Sequence, residues 1–178
     1  MKRHEFEHAV RAAGAVLGVN EIIVIGSQAL HASLEGDMPE EATRSVEVDV
    51  ALAGDSGGRM ADLVDGSIGE ASMFHEAFGY YAQGVTEQTA TLPDGWRARL
   101  VPFETPATNG VRAMCLEVHD LWIAKAIANR PKDVEFCRAL IARRLVDTTT
   151  LSERLNGVRG LDARVRSTVE SRIGDARR

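Results

Sequence analysis

Glu47 and Asp49 stand two apart in SVEVDVAL (45–52), where valines fill positions 46, 48 and 50. A period of two marks a strand. On a strand the two acids point to the same side, about 7 Å apart at Cα. Carboxylates held that close repel each other, and such pairs commonly hold a hard divalent cation. The ordinary alternative is a solvent-facing sheet surface, where acids at alternate positions are common. About twenty residues upstream, Gly26-Ser27 follows the β-branched run EIIVI (21–25) and precedes Gln28–Leu34, which reads as a helix. Backbone N–H groups at a helix start attract phosphate, and Gly lets it approach. Most Gly-Ser turns are only turns. Downstream, Lys125 shares a helical stripe with Leu121, Trp122 and Ala128, so its ammonium either snorkels to water or is held for a purpose. Asp133 falls in the first turn of the next helix, where a carboxylate is favourable for structural reasons alone.

Together these features resemble a known arrangement. A strand, Gly-Ser, a helix and then an acid-x-acid strand, in IVIGSQAL…TRSVEVDV, is similar to the nucleotidyltransferase superfold. The stretch looks most like the branch that includes AbiEii-type and MenT-type toxin nucleotidyltransferases, with Arg44 and Ser45 just ahead of the acid pair. The segment LEVHDLWIAKAIANRPKDVEFCRALI (116–141) is similar to a helical motif of that branch, matched at Lys125, Arg130, Lys132 and Asp133. YYAQGV…LPDGWRARLVPF…CLEVHDLWIAK also looks like an uncharacterised bacterial family assigned to this fold. The resemblance covers residues 20–145. It implies an α/β (α+β) fold, a nucleotidyltransferase-like mixed sheet with flanking helices followed by a C-terminal helical region.

The activity implied is transfer of a nucleoside monophosphate from a nucleoside triphosphate to RNA, a protein or a small molecule, dependent on Mg²⁺ (or Mn²⁺). A place in a toxin–antitoxin pair, with an antitoxin partner, is implied as well. In that scheme Glu47 and Asp49 hold the metal, while Gly26, Ser27, Arg44, Ser45 and Lys132 bind the nucleotide. Lys125 neutralises charge on the phosphoryl oxygens, and Asp133 orients Lys125 or the acceptor. The catalytic set is then Glu47, Asp49, Lys125 and Asp133. The sequence departs from the pattern in two ways. Its first acid is Glu rather than the commoner Asp. Many members carry a third carboxylate on a later strand, whereas YYAQGV and ARLVPF contain none, and Glu87, Asp94 and Glu104 lie only near the strand ends. Two acids can hold one metal ion through substrate phosphates. One rival expectation is therefore a binding or regulatory module that keeps the fold without turnover. Another is an unrelated α/β protein with a decorative acid pair, which requires the acids to lie apart from Lys125.

The elements around these residues follow from pattern. Phe6, Val10, Ala13 and Leu17 predict an amphipathic helix over 3–17, broken by Gly18 and Asn20. Residues 35–44 read as a polar loop and 59–78 as one or two short helices. Strands are expected at 80–85 and 98–103, with a turn at Pro93-Asp94-Gly95, and at 111–116; Pro102 places its strand at an edge. Helices are expected at 118–129, 131–144, 148–156 and 161–174. Pro131 suits a first turn, and Thr150-x-x-Glu153 a capping box. An α/β core (1–116) and a helical part (117–178) packed on it account for the chain.

Composition bounds the rest. The 178 residues are 44 % hydrophobic and 26 % charged, enough for one buried core. No apolar run approaches the ~20 residues of a membrane span. MKRHEFEHAV lacks the apolar core of a secretion signal, so the expected setting is cytoplasmic. A net charge of −5 argues against a broad nucleic-acid surface. The arginine-rich stretches 138–144 and 154–178 keep an RNA acceptor open, although a solvated helix face is the commoner meaning of such charge. Cys115 and Cys137 lack metal-ligand spacing and read as buried thiols. His119 and Asp120 are adjacent on a helix, about 100° apart, and cannot easily share a proton. His31 and His75 read as structural.

Overall fold

The structure is a computed structural model that describes residues 1–34, 36 and 38–176. Helix α1 (Arg3–Leu17) buries Phe6, Ala9, Val10 and Ala13 on one face and ends at Gly18 in the left-handed conformation. Five strands follow: β1 (Glu21–Val24), β2 (Glu47–Ala51), β3 (Tyr81–Gly84), β4 (Val101–Phe103) and β5 (Arg112–Cys115). They form one mixed sheet in the order β3-β2-β1-β5-β4. β1 runs antiparallel to β2 and parallel to β5. β2 runs parallel to β3, with Glu47 opposite Tyr81 and Asp49 opposite Gln83. Pro102 lies on β4, an edge strand paired among the described residues with β5 alone, where its missing N–H costs no ladder bond.

Helices α2 (Glu40–Thr43), α3 (Arg59–Ile68) and α4 (Met73–Phe78) lie between β1 and β3, and α5 (Val118–Ala128), α6 (Pro131–Ala142), α7 (Thr148–Asn156) and α8 (Ala163–Asp175) follow β5. The fold is thus mixed α/β, a five-stranded mixed sheet with flanking helices. One hydrophobic core runs from Phe6 and Val10 through Ile22, Val24 and Val48 to Trp122, Leu140, Leu151 and Val169.

Four local expectations are corrected. The segment after Gly26 is a six-residue 3-10 turn, Ser27–Ala32, not an α-helix. Its amides close on the third residue back, as in Ala29 N–H to Gly26 O at 3.0 Å, and residues 27–31 are all buried. The expected loop 35–44 contains α2; residues 35 and 37 lie outside the described residues. The strand expected at 98–103 is shortened, because Trp96–Arg99 wind into a 3-10 turn that delivers the Arg99 guanidinium to Asp120. The cap of α7 is Asp147, whose carboxylate accepts from Thr150 N at 2.8 Å and Thr150 Oγ1 at 3.1 Å. It pre-empts the Thr150 capping box.

The C-terminal arginines are mostly spent on packing. Arg154 reaches the buried Asp120 at 3.3 Å. Arg166 donates to the carbonyls of Leu155 and Val158, and Arg172 to that of Ala126. Arg159 pairs with Asp94. Arg154, Arg166 and Arg172 thus clamp the helices together while Arg159 stays at the surface; residues 177 and 178 lie outside the described residues.

Candidate active site

The pairing of β1 with β2 brings Gly26 against Asp49: Ile25 N–H donates to Asp49 O at 3.1 Å. A Cβ built on Gly26 would sit 1.6 Å from Asp49 Oδ2. The Gly26 backbone is extended (φ −84°, ψ −169°), a conformation open to any residue. Glycine is needed here for space, and the occupant of that space is the carboxylate. Among the described residues no hydrogen-bond donor reaches the Asp49 carboxylate. Burial, and next the charge of Glu47, push its pKa up, against the opposing pull of Lys125, Lys132 and Arg130.

Glu47 is better provided. Tyr81 Oη donates to its Oε2 at 3.2 Å, and Lys132 Nζ lies 3.4 Å from its Oε1. Burial, and then Glu47 itself, push the Tyr81 hydroxyl up to about 12, so Tyr81 stays a neutral donor. Ser45 donates to Glu47 O at 3.3 Å and is held from behind by the buried Gln28, whose Nε2 donates to the carbonyls of Ala42 and Ser45.

Lys125 comes from α5, and its Nζ lies 3.4 Å from Asp133 Oδ1 and 5.9 Å from the centre of the Phe136 ring. Asp133 is buried. Burial alone would raise its pKa, but the Arg130 guanidinium at 2.6 Å and the Lys125 charge outweigh it and hold the carboxyl below the ordinary range. Asp133 also accepts from Arg130 N–H at 3.2 Å, so it caps α6 and anchors Lys125 at once.

Two clefts meet at this point. One, of about 280 Å³, is bordered by Ser27, Arg44, Ser45, Glu47, Lys132 and Asp133; Lys125 is part of its wall. The other, of about 360 Å³, is bordered by Gly26, Asp49, Leu121, Ala124 and Arg130, and Lys125 is part of that wall too. Glu47, Asp49, Lys125, Asp133, Gly26, Ser27, Ser45 and Lys132 thus come together. Arg44 stands at the outer rim, paired with Glu40 at 3.0 Å and Glu135 at 3.4 Å. The acid pair is not set apart from Lys125, as an unrelated fold would require.

A family described as nucleotidyltransferase of unknown function (DUF6036) matches residues 5–170. The chain belongs to this family. Comparison with curated proteins gives no match, and comparison with solved structures gives none either.

In this nucleotidyltransferase-family chain the strand beside the acid pair carries Tyr81 and Gln83, not a third acid. Gln83 turns its Nε2 to Asp65 at 3.1 and 3.2 Å. Among the described residues no group of three or more His, Cys, Asp or Glu is placed to hold a metal. A divalent cation on Glu47 and Asp49 would complete its shell with water and phosphate oxygens, as Mg²⁺ readily does. The orphaned Asp49 carboxylate beside a second acid fits such an ion.

Tyr81, Gln83 and Gln28 were not singled out from sequence. The only signal was a glutamine inside an otherwise apolar segment, in YYAQGV and in SQAL. The histidines lie elsewhere. His119 is fixed between Glu117, at 2.5 Å, and the Asp147 N–H, at 3.0 Å. His31 stacks on Phe6 with centroids 4.7 Å apart, and burial above all lowers its pKa to about 4. His75 accepts from Ala71 N–H at 3.1 Å. Cys115 and Cys137 are free and buried, and burial raises both thiols. No helix among the described residues is long and apolar enough to cross a membrane.

Proposed function

We propose that the protein transfers a nucleoside monophosphate from a nucleoside triphosphate to an acceptor hydroxyl, with Mg²⁺ or Mn²⁺ held by Glu47 and Asp49. The observation that carries this reading is the Asp49 carboxylate: half-buried on Gly26, beside a second acid, and without a donor among the described residues, yet faced by Lys125, Lys132 and Arg130. Two acids beside cationic side chains suit a divalent ion and the phosphate anion it would bring. A bound divalent ion supplies Lewis-acid neutralisation of phosphate oxygens.

The chain's own groups do the remainder. Lys125, parked on the ionised Asp133, is close enough to swing onto a phosphoryl oxygen and stabilise the charge that grows there. Ser27, Ser45 and Lys132, with the Gly26-Ser27 backbone, border the polyphosphate, and Arg44 waits at the rim. The acceptor hydroxyl attacks the α-phosphorus in line and pyrophosphate leaves. The acceptor is RNA, a protein or a small molecule. The likeness of the Arg44-Ser45 and Lys125…Lys132-Asp133 blocks to toxin nucleotidyltransferases makes a toxin–antitoxin pairing in the cytoplasm part of the proposal.

Calorimetric titration of each nucleoside triphosphate, with and without Mg²⁺, tests the reading on wild type and Asp49→Ala. Mg²⁺-dependent binding that weakens at least tenfold in the variant is expected, a loss of about 1.4 kcal/mol or more. A wild type that binds no triphosphate would sink it. A second reading, a nucleotide-binding module without turnover, is favoured by Tyr81 and Gln83 standing opposite the acids on β3, so that this strand supplies no third carboxylate. Mg²⁺-dependent binding with no pyrophosphate release in the presence of cell extract would decide for that module.

A further inference from the structure

The two clefts beside the acid pair differ in chemistry. The one past Glu47 carries most of the charged groups, Arg44, Lys132, Asp133 and Glu135, with Val46 and Phe136 beside them. The one past Asp49 joins Asp49, Lys125 and Arg130 to an aliphatic stretch: Ile25, just after β1, and Leu121, Ala124, Ile127 and Ala128 from α5, face the Thr89–Thr91 segment. Leu121, Ala124 and Ala128 fall at i, i+3 and i+7, so they form a continuous floor on one helix face. The two alanines keep that floor low. Leu121 is fully buried, Ala124 and Ile127 are half-buried and Ala128 is exposed, so the floor opens to solvent toward its Ala128 end. A concave apolar wall next to a few convergent charged groups is the usual form of a small-molecule site.

We infer that the aliphatic cleft receives the nucleoside of the triphosphate, with the polyphosphate running past Lys125 into the charged cleft. The inference rests on the nucleotidyltransferase reading above. A nucleoside is joined to its α-phosphate through a single ester oxygen, so a nucleotide whose α-phosphate meets Asp49 must lay its sugar and base on a wall that adjoins Asp49. The charged cleft would have to desolvate ionised groups to take a base, which is costly. On its α5 side the cleft past Asp49 offers Leu121, Ala124, Ile127 and Ala128, aliphatic surface whose loss of water is favourable. Lys125 lines both clefts and stands where nucleoside gives way to phosphate.

Filling the floor tests this. Ala124→Leu and Ala128→Leu add bulk to the cleft without cutting a cavity in the core, and Ala128 is exposed enough to tolerate the change. With Mg²⁺ present, each nucleoside triphosphate is titrated into wild type and both variants, and inorganic tripolyphosphate serves as the probe that has no nucleoside. The expected result is at least tenfold weaker triphosphate binding in one or both variants, with tripolyphosphate binding unchanged and melting temperatures preserved. Unaltered triphosphate binding in both variants overturns the inference, as does an equal loss for tripolyphosphate. A wild type that binds neither probe overturns the nucleotidyltransferase reading itself, whereas a wild type that binds both equally well refutes only the nucleoside cleft.

Discussion

A hydrogen atom is all that Gly26 presents to the Asp49 carboxylate, and the site depends on it. Gly26→Ala is expected to cost about 1–3 kcal/mol of stability through overpacking, read by urea denaturation. In an Asp49→Ala background the nearest side-chain atom left would be the residue-49 Cβ, 3.1 Å from the new methyl, so the same change costs less there. The difference should appear as a coupling of about 0.5–3 kcal/mol in a double-mutant cycle; simple additivity would contradict the contact. Asp49 also carries a pH signature. Its pKa is raised by burial first and Glu47 second, so the native state holds the proton more tightly than the unfolded chain. The stability this gives is complete below the ordinary carboxylate range and is lost as pH rises through the elevated value. Without divalent ions, Asp49→Asn should therefore melt higher than wild type at pH 7, and the advantage should vanish as the pH falls into the ordinary carboxylate range. Added Mg²⁺ should stabilise wild type and leave the variant unmoved. Gly26 was legible in the sequence as a residue that matters, but for another reason, phosphate approach at a helix start. Its steric role depends on how β1 pairs with β2, which a sequence does not display.

The same limit explains what was and was not visible at the level of elements. Helices α5 to α8 lie within a few residues of their expected bounds; α6 to α8 repeat their apolar positions with a helical period, whereas α5 is apolar nearly all round and buries Leu121, Trp122 and Ile123 in succession. Strand β4 is shorter than expected because Arg99 is drawn toward Asp120, a partner 21 residues away. Tyr81 and Gln83 acquire their places beside Glu47 and Asp49 only through the register of β2 with β3. Strand β3 illustrates how an element is finished by a side chain from another. Its Gly84 N–H donates to Asp65 Oδ1 at 2.6 Å, and the Gln83 amide donates to the same carboxylate, so α3 closes this strand's unpaired edge. Asp65→Ala should cost about 1–3 kcal/mol, the usual penalty for stranding such donors, and hydrogen exchange at Gly84 should quicken. No change at that amide would show that Asp65 is dispensable. At the start of α7, Asp147→Ala should lower the denaturation midpoint more than Thr150→Ala, which leaves the backbone cap in place; the reverse order would restore the capping box read from the sequence.

For the whole molecule the decisive joint is Asp120. It is fully buried and meets Arg99 at 2.8 Å and Arg154 at 3.3 Å, tying α5, α7 and the turn before β4 into one body. Its removal leaves two arginines short of a partner. Because those side chains stay 22 % and 25 % exposed, Asp120→Ala should cost about 2–3 kcal/mol, under the usual figure for a fully buried pair, checked by thermal and urea melts. A loss below about 0.5 kcal/mol would mean that the joint is dispensable. The sheet has a further consequence in time. Strand β1 takes its second neighbour from β5, with Glu21 opposite Arg112, about ninety residues later in the chain. A ribosome adding about 5–20 residues per second leaves that inner edge bare for roughly 5–18 s. Throughout that interval the nascent chain carries EIIV with one edge unpaired, even once β2 has covered the other, so the tempo of translation bears on the yield of folded protein alongside its final stability.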